Sequence, residues 1–594
     1  MFDAVVSPPA PINEPVLTYA PGSPERAELK AELSRMAAAP VEIPMFIGGE
    51  EVFTKQRAEV RAPHRRAQVL GHAHGGDGSH VERAIEAAKR AHGPWAALPW
   101  TARAAVFLKA ADLLATTWRQ KLNAATMLGQ SKTAFQAEID AACELVDFLR
   151  FNVHFARRIA EEQPQSGRGM WNAVEPRPLE GFVFAASPFN FTAIGGNLPS
   201  APALMGNTVV WKPSANAMLS AHWVMHLFRA AGLPEGVINL VNGDPEGVAN
   251  ACLDHPDLAG VHFTGSTGVF QAMWRRVGNN MGRYRTYPRL VGETGGKDFV
   301  FAHRSAEVDA LAVALVRGAF EYQGQKCSAA SRAYIPASIW PKLRARVVEL
   351  VAEIKTGDVT DFRNFMGAVI DDKAFRRLDE RLGAARGDSG CKVLTGGGAD
   401  SKEGWFVEPS VIEVSDPKHR LMQDELFGPV LALWVYQDGE EEAALRLCDE
   451  TSPYALTGAV FSNDRHFVER AGQALRFAAG NFYVNDKPTG AVVGQAVRRG
   501  ARLRDERQGG QHAQPAPLGV AARREGDLRA AGGARVPVHA RGVSYPAPPA
   551  GARLAGCSAN RRFPRGASPS TRCCAWWTSA SCPRTSHSSS SMES

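Results

Sequence analysis

Cysteine is scarce in this chain: nine residues in 594, four of them beyond position 495. The five in the body are Cys143, Cys252, Cys327, Cys391 and Cys448. They form no Cys-x-x-Cys pair and have no histidine at ligand spacing, so no metal site is expected. A reducing compartment leaves disulfides no role either. No run of about 18 apolar residues occurs, which argues against a membrane-spanning helix. The first thirty residues lack the basic-then-apolar order of a secretory signal and carry acids that a transit peptide avoids, so a cytoplasmic location is expected. Lysine vanishes after Gln495, where 16 Arg stand against 5 acids. That segment therefore holds +11, and the first 495 residues hold −4 of a net +7. A body of that charge shows no nucleic-acid footprint.

What is present describes a soluble globular chain: 45% apolar and 22% charged residues. Its length predicts two or three domains. Residues 1–44 are rich in Pro and Ala and read as an N-terminal arm over the surface. Helical spacing follows in "SHVERAIEAAKRAH", "TARAAVFLKAADLLATTW" and "AFQAEIDAACELVDFLRFNVHFARRIAEE". Short apolar strands then alternate with helices: "GFVFAAS", "NTVVWKPS", "GVINLVNG" and "LAGVHFTGS". A second alternation begins after Gly296 with "KDFVFAH", "SRAYIP", "TGAVFS" and "NFYVND". The pattern predicts an α/β fold with parallel sheets covered on both faces and a cleft between two units. Ligands of such sheets gather at the C-terminal ends of the strands.

Several residues sit where chemistry is possible, each with a plainer reading beside it. Cys327, between Lys326 and Ser328, suits a packing thiol, a metal ligand or a nucleophile, and the small residues after it suit the start of a helix. "GSTG" (Gly265 to Gly268) fits phosphate approach to a helix N-terminus, or an ordinary turn. Lys212 falls at a strand end, where a solvated lysine is the bland alternative. Glu293 stands just before two glycines, which let backbone approach a cleft; a surface glutamate would look the same. Asn190, in a turn after a buried strand, can stabilise an oxyanion or cap a helix.

"SPFNFTAIGGNLPSAPALMGNTVVWKPS", "FTGSTG", "ETGGKD", "GQKCSAASR", "QDELFGPV" and "GNFYVNDKPTGAVVGQ" occur in this order. Over roughly residues 45–495 the chain resembles the aldehyde dehydrogenase superfamily, and in particular its Δ1-pyrroline-5-carboxylate dehydrogenase branch. The resemblance implies a Rossmann-type NAD-binding domain (45–158 and 181–293) and an α/β catalytic domain (294–480). It also implies a bridging, oligomerisation hairpin at 159–180 and a substrate-anchoring return segment at 481–495. It makes Cys327 the nucleophile, Asn190 the oxyanion donor and Glu293 the base for water. NAD would meet Ser187 and Lys212 on its adenosine side, Gly265 and Ser266 at the pyrophosphate, and Glu425 and Phe427 at the nicotinamide riboside. The small-molecule substrate implied is L-glutamate γ-semialdehyde. Its contacts would be Glu144, Phe191, Lys326 and Ser328, with backbone N–H groups at Gly490 and Ala491. Another semialdehyde, or an impaired chain that at most binds NAD or a homologue, are the alternatives. No nucleic-acid or membrane partner is implied, and the family-typical state is a homo-oligomer.

The resemblance stops between Gln495 and Ala496. The branch would continue with Pro-Phe-Gly-Gly, but this chain reads "AVRRGARLRDERQGG". Ala496-Val497-Arg498-Arg499 written GCC-GTT-CGG-CGG gives Pro-Phe-Gly-Gly when the first base is dropped. The same displacement at Gly526–Ala530 gives Glu-Thr-Phe-Val-Pro. Two sites agree on one phase, so a frameshift is expected there, with residues 496–594 an aberrant, disordered tail that compromises the oligomer.

Overall fold

Strands built from Val, Phe and Ala without polar alternation need cover on both faces. The computed structural model, which describes residues 7–489 and Thr578–Ser579, meets that need with two seven-stranded sheets. The first contains β1 (Met45–Ile47), β2 (Glu50–Val52), β3 (Phe182–Ser187), β4 (Thr208–Pro213), β5 (Ile238–Leu240), β6 (Leu258–Gly265) and β7 (Arg289–Thr294). Their order is β7-β6-β3-β4-β5-β1-β2. The five from β7 to β5 run parallel, and β1 and β2 add an antiparallel edge. Phe182 and Phe184 point into one apolar layer and Val183 and Ala185 into the other.

The second sheet contains β8 (Phe299–Ala302), β9 (Arg332–Pro336), β10 (Cys391–Thr395), β11 (Ser410–Val414), β12 (Val430–Tyr436), β13 (Thr457–Phe461) and β14 (Asn481–Val484). Its order is β10-β11-β12-β9-β8-β13-β14, parallel except for β10. Phe299 and Phe301 face one core, Val300 and Ala302 the other. The α/β class holds.

Several expectations need correction. The N-terminal arm contains a helix that its Pro- and Ala-rich composition did not announce. Ser23 caps a helix, α1 (Pro24–Ala38), whose Leu29, Leu33 and Met36 are buried. Before it, Tyr19 Oη donates to Glu138 Oε2 (2.7 Å), fastening the segment to the body. The long helix read over 134–162 is interrupted. Between Ala134–Ala137 and α3 (Leu145–Glu161) lies a π-helical turn, Glu138–Glu144. Such turns accommodate an extra residue and often mark functional positions. The stretch 159–180 is no local hairpin: α3 continues to Glu161, and Arg177–Pro178 pairs antiparallel with Thr578–Ser579. The disordered-tail expectation otherwise falls outside the described residues. The small residues directly after Cys327 start no helix; the chain enters β9 at Arg332 instead.

Candidate active site

In the first sheet the chain steps outward from β3 through β4 to β5, then returns to place β6 on the other side of β3. A parallel sheet opens a crevice at that reversal, beyond the C-terminal ends of the strands. Ser187 ends β3 and Lys212 is the penultimate residue of β4; Ala186 is the register partner of Lys212, and Ser187 of Pro213. Ser187 Oγ accepts Trp211 Nε1–H (2.9 Å), which leaves its own proton available. Lys212 is buried, and its Nζ donates to the carbonyl of Pro213 (3.2 Å). Burial lowers its pKa, and Asp244 partly offsets that. On the other side of the crevice Gly265 ends β6 and Ser266 caps α5 (Thr267–Asn279), accepting from Val269 N–H (3.4 Å). A buried lysine at the end of one strand and a capped helix N-terminus at the end of another, on either side of β3, fit an anionic dinucleotide.

Glu293 lies one residue from the end of β7, half-buried, with Thr264 as its partner on β6. The chain then crosses into the second sheet through Gly295 and Gly296. A Cβ on Gly295 would collide with the carboxylate of Glu425, which accepts Gly296 N–H at 3.2 Å. Desolvation raises the pKa of Glu425 to about 7; its exposed setting tempers that shift. Phe427, left-handed at φ +51°, meets Phe189 edge-on at 5.8 Å across the cleft.

Cys327 follows three consecutive left-handed residues, Tyr322, Gln323 and Gly324. It is half-buried and sits on the N-terminal side of β9, so in this sheet the thiol is not at a strand C-terminus. The turn is bonded across the lobes: Asn190 Nδ2 donates to the carbonyl of Gln325 (3.1 Å). An amide nitrogen carries two protons, so one remains for another acceptor.

Phe191 precedes α4 (Thr192–Leu204), half-buried. Lys326 is not an unpaired cation. It lies 3.2 Å from Glu321, which Arg317 also contacts. Burial would raise the Glu321 pKa, but Lys326, Arg317 and Lys487 hold it at about 2. Ser328 is half-buried and accepts Thr457 Oγ1–H at its carbonyl (3.4 Å). Glu144 ends the π-helical turn; burial and then Asp140 push its pKa up to about 8, against Lys132 and Lys326. Gly490 and Ala491 lie outside the described residues.

Spacing gave no hint of two groupings. Lys132 and Asp140 form a buried pair (2.7 Å) beside Phe191, and nothing sets Asp140 apart in "AEIDAACELV", which also carries Glu138 and Glu144. Cys391 and His419, 28 residues apart, approach to 3.6 Å with Asp388 3.2 Å from the same imidazole nitrogen. Sequence spacing concealed that cluster. Leu421 N–H donates to His419 Nδ1 (3.1 Å), so Nε2 carries the proton and donates to Asp388 rather than offering a lone pair.

Known proteins match this arrangement. A sequence profile described as "Aldehyde dehydrogenase family" covers residues 52–500. A Schizosaccharomyces pombe protein named "Probable delta-1-pyrroline-5-carboxylate dehydrogenase" is 50% identical over 500 residues, 83% of this chain and 91% of its own. A Dictyostelium discoideum "Delta-1-pyrroline-5-carboxylate dehydrogenase, mitochondrial" is 48% identical over 499 residues, 83% and 89% of the two chains. Among solved structures, the Mycobacterium tuberculosis Delta-pyrroline-5-carboxylate dehydrogenase bound with NAD superposes with TM-score 0.81 at 54% identity. That match covers 84% of this chain and 92% of the other.

Proposed function

The chain belongs to the aldehyde dehydrogenase family, and from that premise we propose that it oxidises L-glutamate γ-semialdehyde, the open form of Δ1-pyrroline-5-carboxylate, to L-glutamate with NAD, a step of proline catabolism. One observation carries the mechanism: the Asn190 turn of the dinucleotide lobe is hydrogen-bonded to the Cys327 turn of the other lobe. The Cys327 sulfur, as thiolate, adds to the aldehyde carbon. The free N–H of Asn190 and the backbone N–H of Cys327 receive the oxyanion of the resulting hemithioacetal. NAD, when bound, supplies the acceptor for the hydride lost from that carbon. Glu293 takes a proton from the water that hydrolyses the thioester, releasing glutamate and restoring the thiolate.

Ser187, Lys212, Gly265 and Ser266 hold the dinucleotide, with Glu425 and Phe427 at its nicotinamide end. Phe191 flanks the aliphatic stem of the substrate and Glu144 faces its ammonium. Ser328 and the backbone at Gly490 and Ala491 take the α-carboxylate. Lys326 contributes attraction reduced by Glu321. Trp171, 90% exposed beside Met170, supports burial in a homo-oligomer.

The test is NADH absorbance after adding pyrroline-5-carboxylate to the purified chain and to Cys327→Ala. Wild type should turn over at least a hundredfold faster with glutamate semialdehyde than with succinate semialdehyde, and the variant should not turn over. Faster oxidation of succinate semialdehyde would transfer the assignment to another aldehyde. Equal rates in the variant would remove Cys327 from the reaction.

A further inference from the structure

The turn that follows α2 (Arg119–Gln130) touches both halves of the site. Ser131 is left-handed (φ +56°). Its carbonyl accepts Gln323 Nε2–H (3.0 Å) from the cysteine turn, and its hydroxyl accepts Ala368 N–H (2.9 Å). Gln130 donates to the carbonyl of Phe189 and accepts Thr192 Oγ1–H (2.9 Å). Lys132 Nζ lies over two rings at once, Phe191 at 4.2 Å and Tyr322 at 4.3 Å. Phe191 adjoins Asn190; Tyr322 begins the left-handed run before Cys327.

Asp140 completes the arrangement. Its Oδ2 accepts from Lys132 Nζ (2.7 Å) and Thr192 N–H (3.0 Å), and its Oδ1 from Ala193 N–H (2.9 Å). It thereby caps α4, the helix that the Asn190–Phe191 turn leads into. Lys132 is 0% and Asp140 1% exposed. An isolated ion pair this deep contributes little net stability, and apolar replacement is often as stable. Its placement between the two turns is the informative feature.

Resting on the roles assigned to Asn190 and Cys327 above, we propose that Lys132 and Asp140 are a positioning pair that sets the separation of the Asn190 amide and the Cys327 thiol. Asp140 holds the amide's turn through the first N–H groups of α4. Lys132 ties that turn to the cysteine turn through the two rings. Neither touches the reacting atoms.

A double-mutant cycle and amide hydrogen exchange test this on the full chain. Asp140→Asn should lower kcat by about ten- to a hundredfold with the KM for NAD changed less than about twofold. Asn190→Ala should lower kcat by about a hundredfold or more, and adding Asp140→Asn to it should cost less than about threefold further. Lys132→Arg should recover most of the loss seen in Lys132→Met. Exchange in residues 189–193 and 322–327 should quicken in Lys132→Met, relative to a control in a separate core cluster, Leu253→Ala, matched in melting temperature. That readout needs no turnover, so it decides the question even if the chain is inactive. Multiplying losses in the double variant, or exchange no faster than in the control, would overturn the proposal. Wild-type turnover in Asn190→Ala would instead overturn the oxyanion role, leaving exchange to decide the positioning.

Discussion

Glu144 illustrates how much a single residue's meaning depends on its neighbours. In isolation it is one glutamate in a helical stretch. Folded, it is desolvated beside Asp140, with Lys132 and Lys326 offsetting and Asp147 adding to the repulsion. Its pKa rises from the ordinary 4.5 to about 8. The folded chain therefore keeps a proton that the unfolded chain releases, so stability falls as pH rises between those values. Glu144→Gln should remove that slope. Its melting temperature relative to wild type should climb from pH 5 to pH 8; a difference independent of pH would show that the carboxyl ionises normally. A substrate ammonium arriving beside Glu144 would favour ionisation, which suits the proposed contact. Cys327 and Asn190 were singled out from their immediate sequence, as one thiol in a cysteine-poor body and one amide in a turn after a buried strand.

At the scale of elements, the approach to Cys327 is set by backbone conformation. Tyr322 and Gln323 are held at φ +52° and +55°, a region that costs non-glycine residues of order 1 kcal/mol each. Gly324 follows at φ +65°, where a Cβ would strike the carbonyl of Gly428 and come within 2.8 Å of that of Ala319. Gly324→Ala should therefore destabilise the chain by about 1–3 kcal/mol and lower kcat, read from thermal melts and NADH formation. Unchanged values in both would show that the turn tolerates a side chain. The bonds that Gln323 Nε2–H donates to the Ser131 carbonyl and that Gln325 Oε1 accepts from Ile370 N–H hold this run in place. Helical periodicity announced the segments on either side of Glu138–Glu144, but not the π-helical turn. A π insertion shifts the face of a helix by an amount that apolar spacing over a few residues does not register.

At the scale of the molecule, we propose that the reading frame is displaced after Gln495, at the return segment of the second lobe. Restoring the displaced reading frame there should raise NADH formation with pyrroline-5-carboxylate at least tenfold and increase the mass seen by light scattering. Equal activity and mass in the two proteins would mean that the natural segment contributes neither to the cleft wall nor to assembly. Resequencing the locus checks the frameshift itself.

Local pattern was enough for the alternation of strands β3 to β6, β8, β9, β13 and β14 with helices, the parallel character of those strands and the motifs bearing Cys327, Asn190 and Glu293, because each is written within about ten consecutive residues; it missed β1, β2 and β10 to β12. The helical α1, the pairing of Arg177–Pro178 with Thr578–Ser579, the Glu321 partner of Lys326 and the Lys132–Asp140 pair were not legible. Each joins positions through space or depends on which surface covers a segment, and neither is encoded in local spacing. The amino acids alone settled which chemical groups this protein owns; the tertiary fold decided which of them meet, because burial and charge neutralisation arise only when distant stretches pack together.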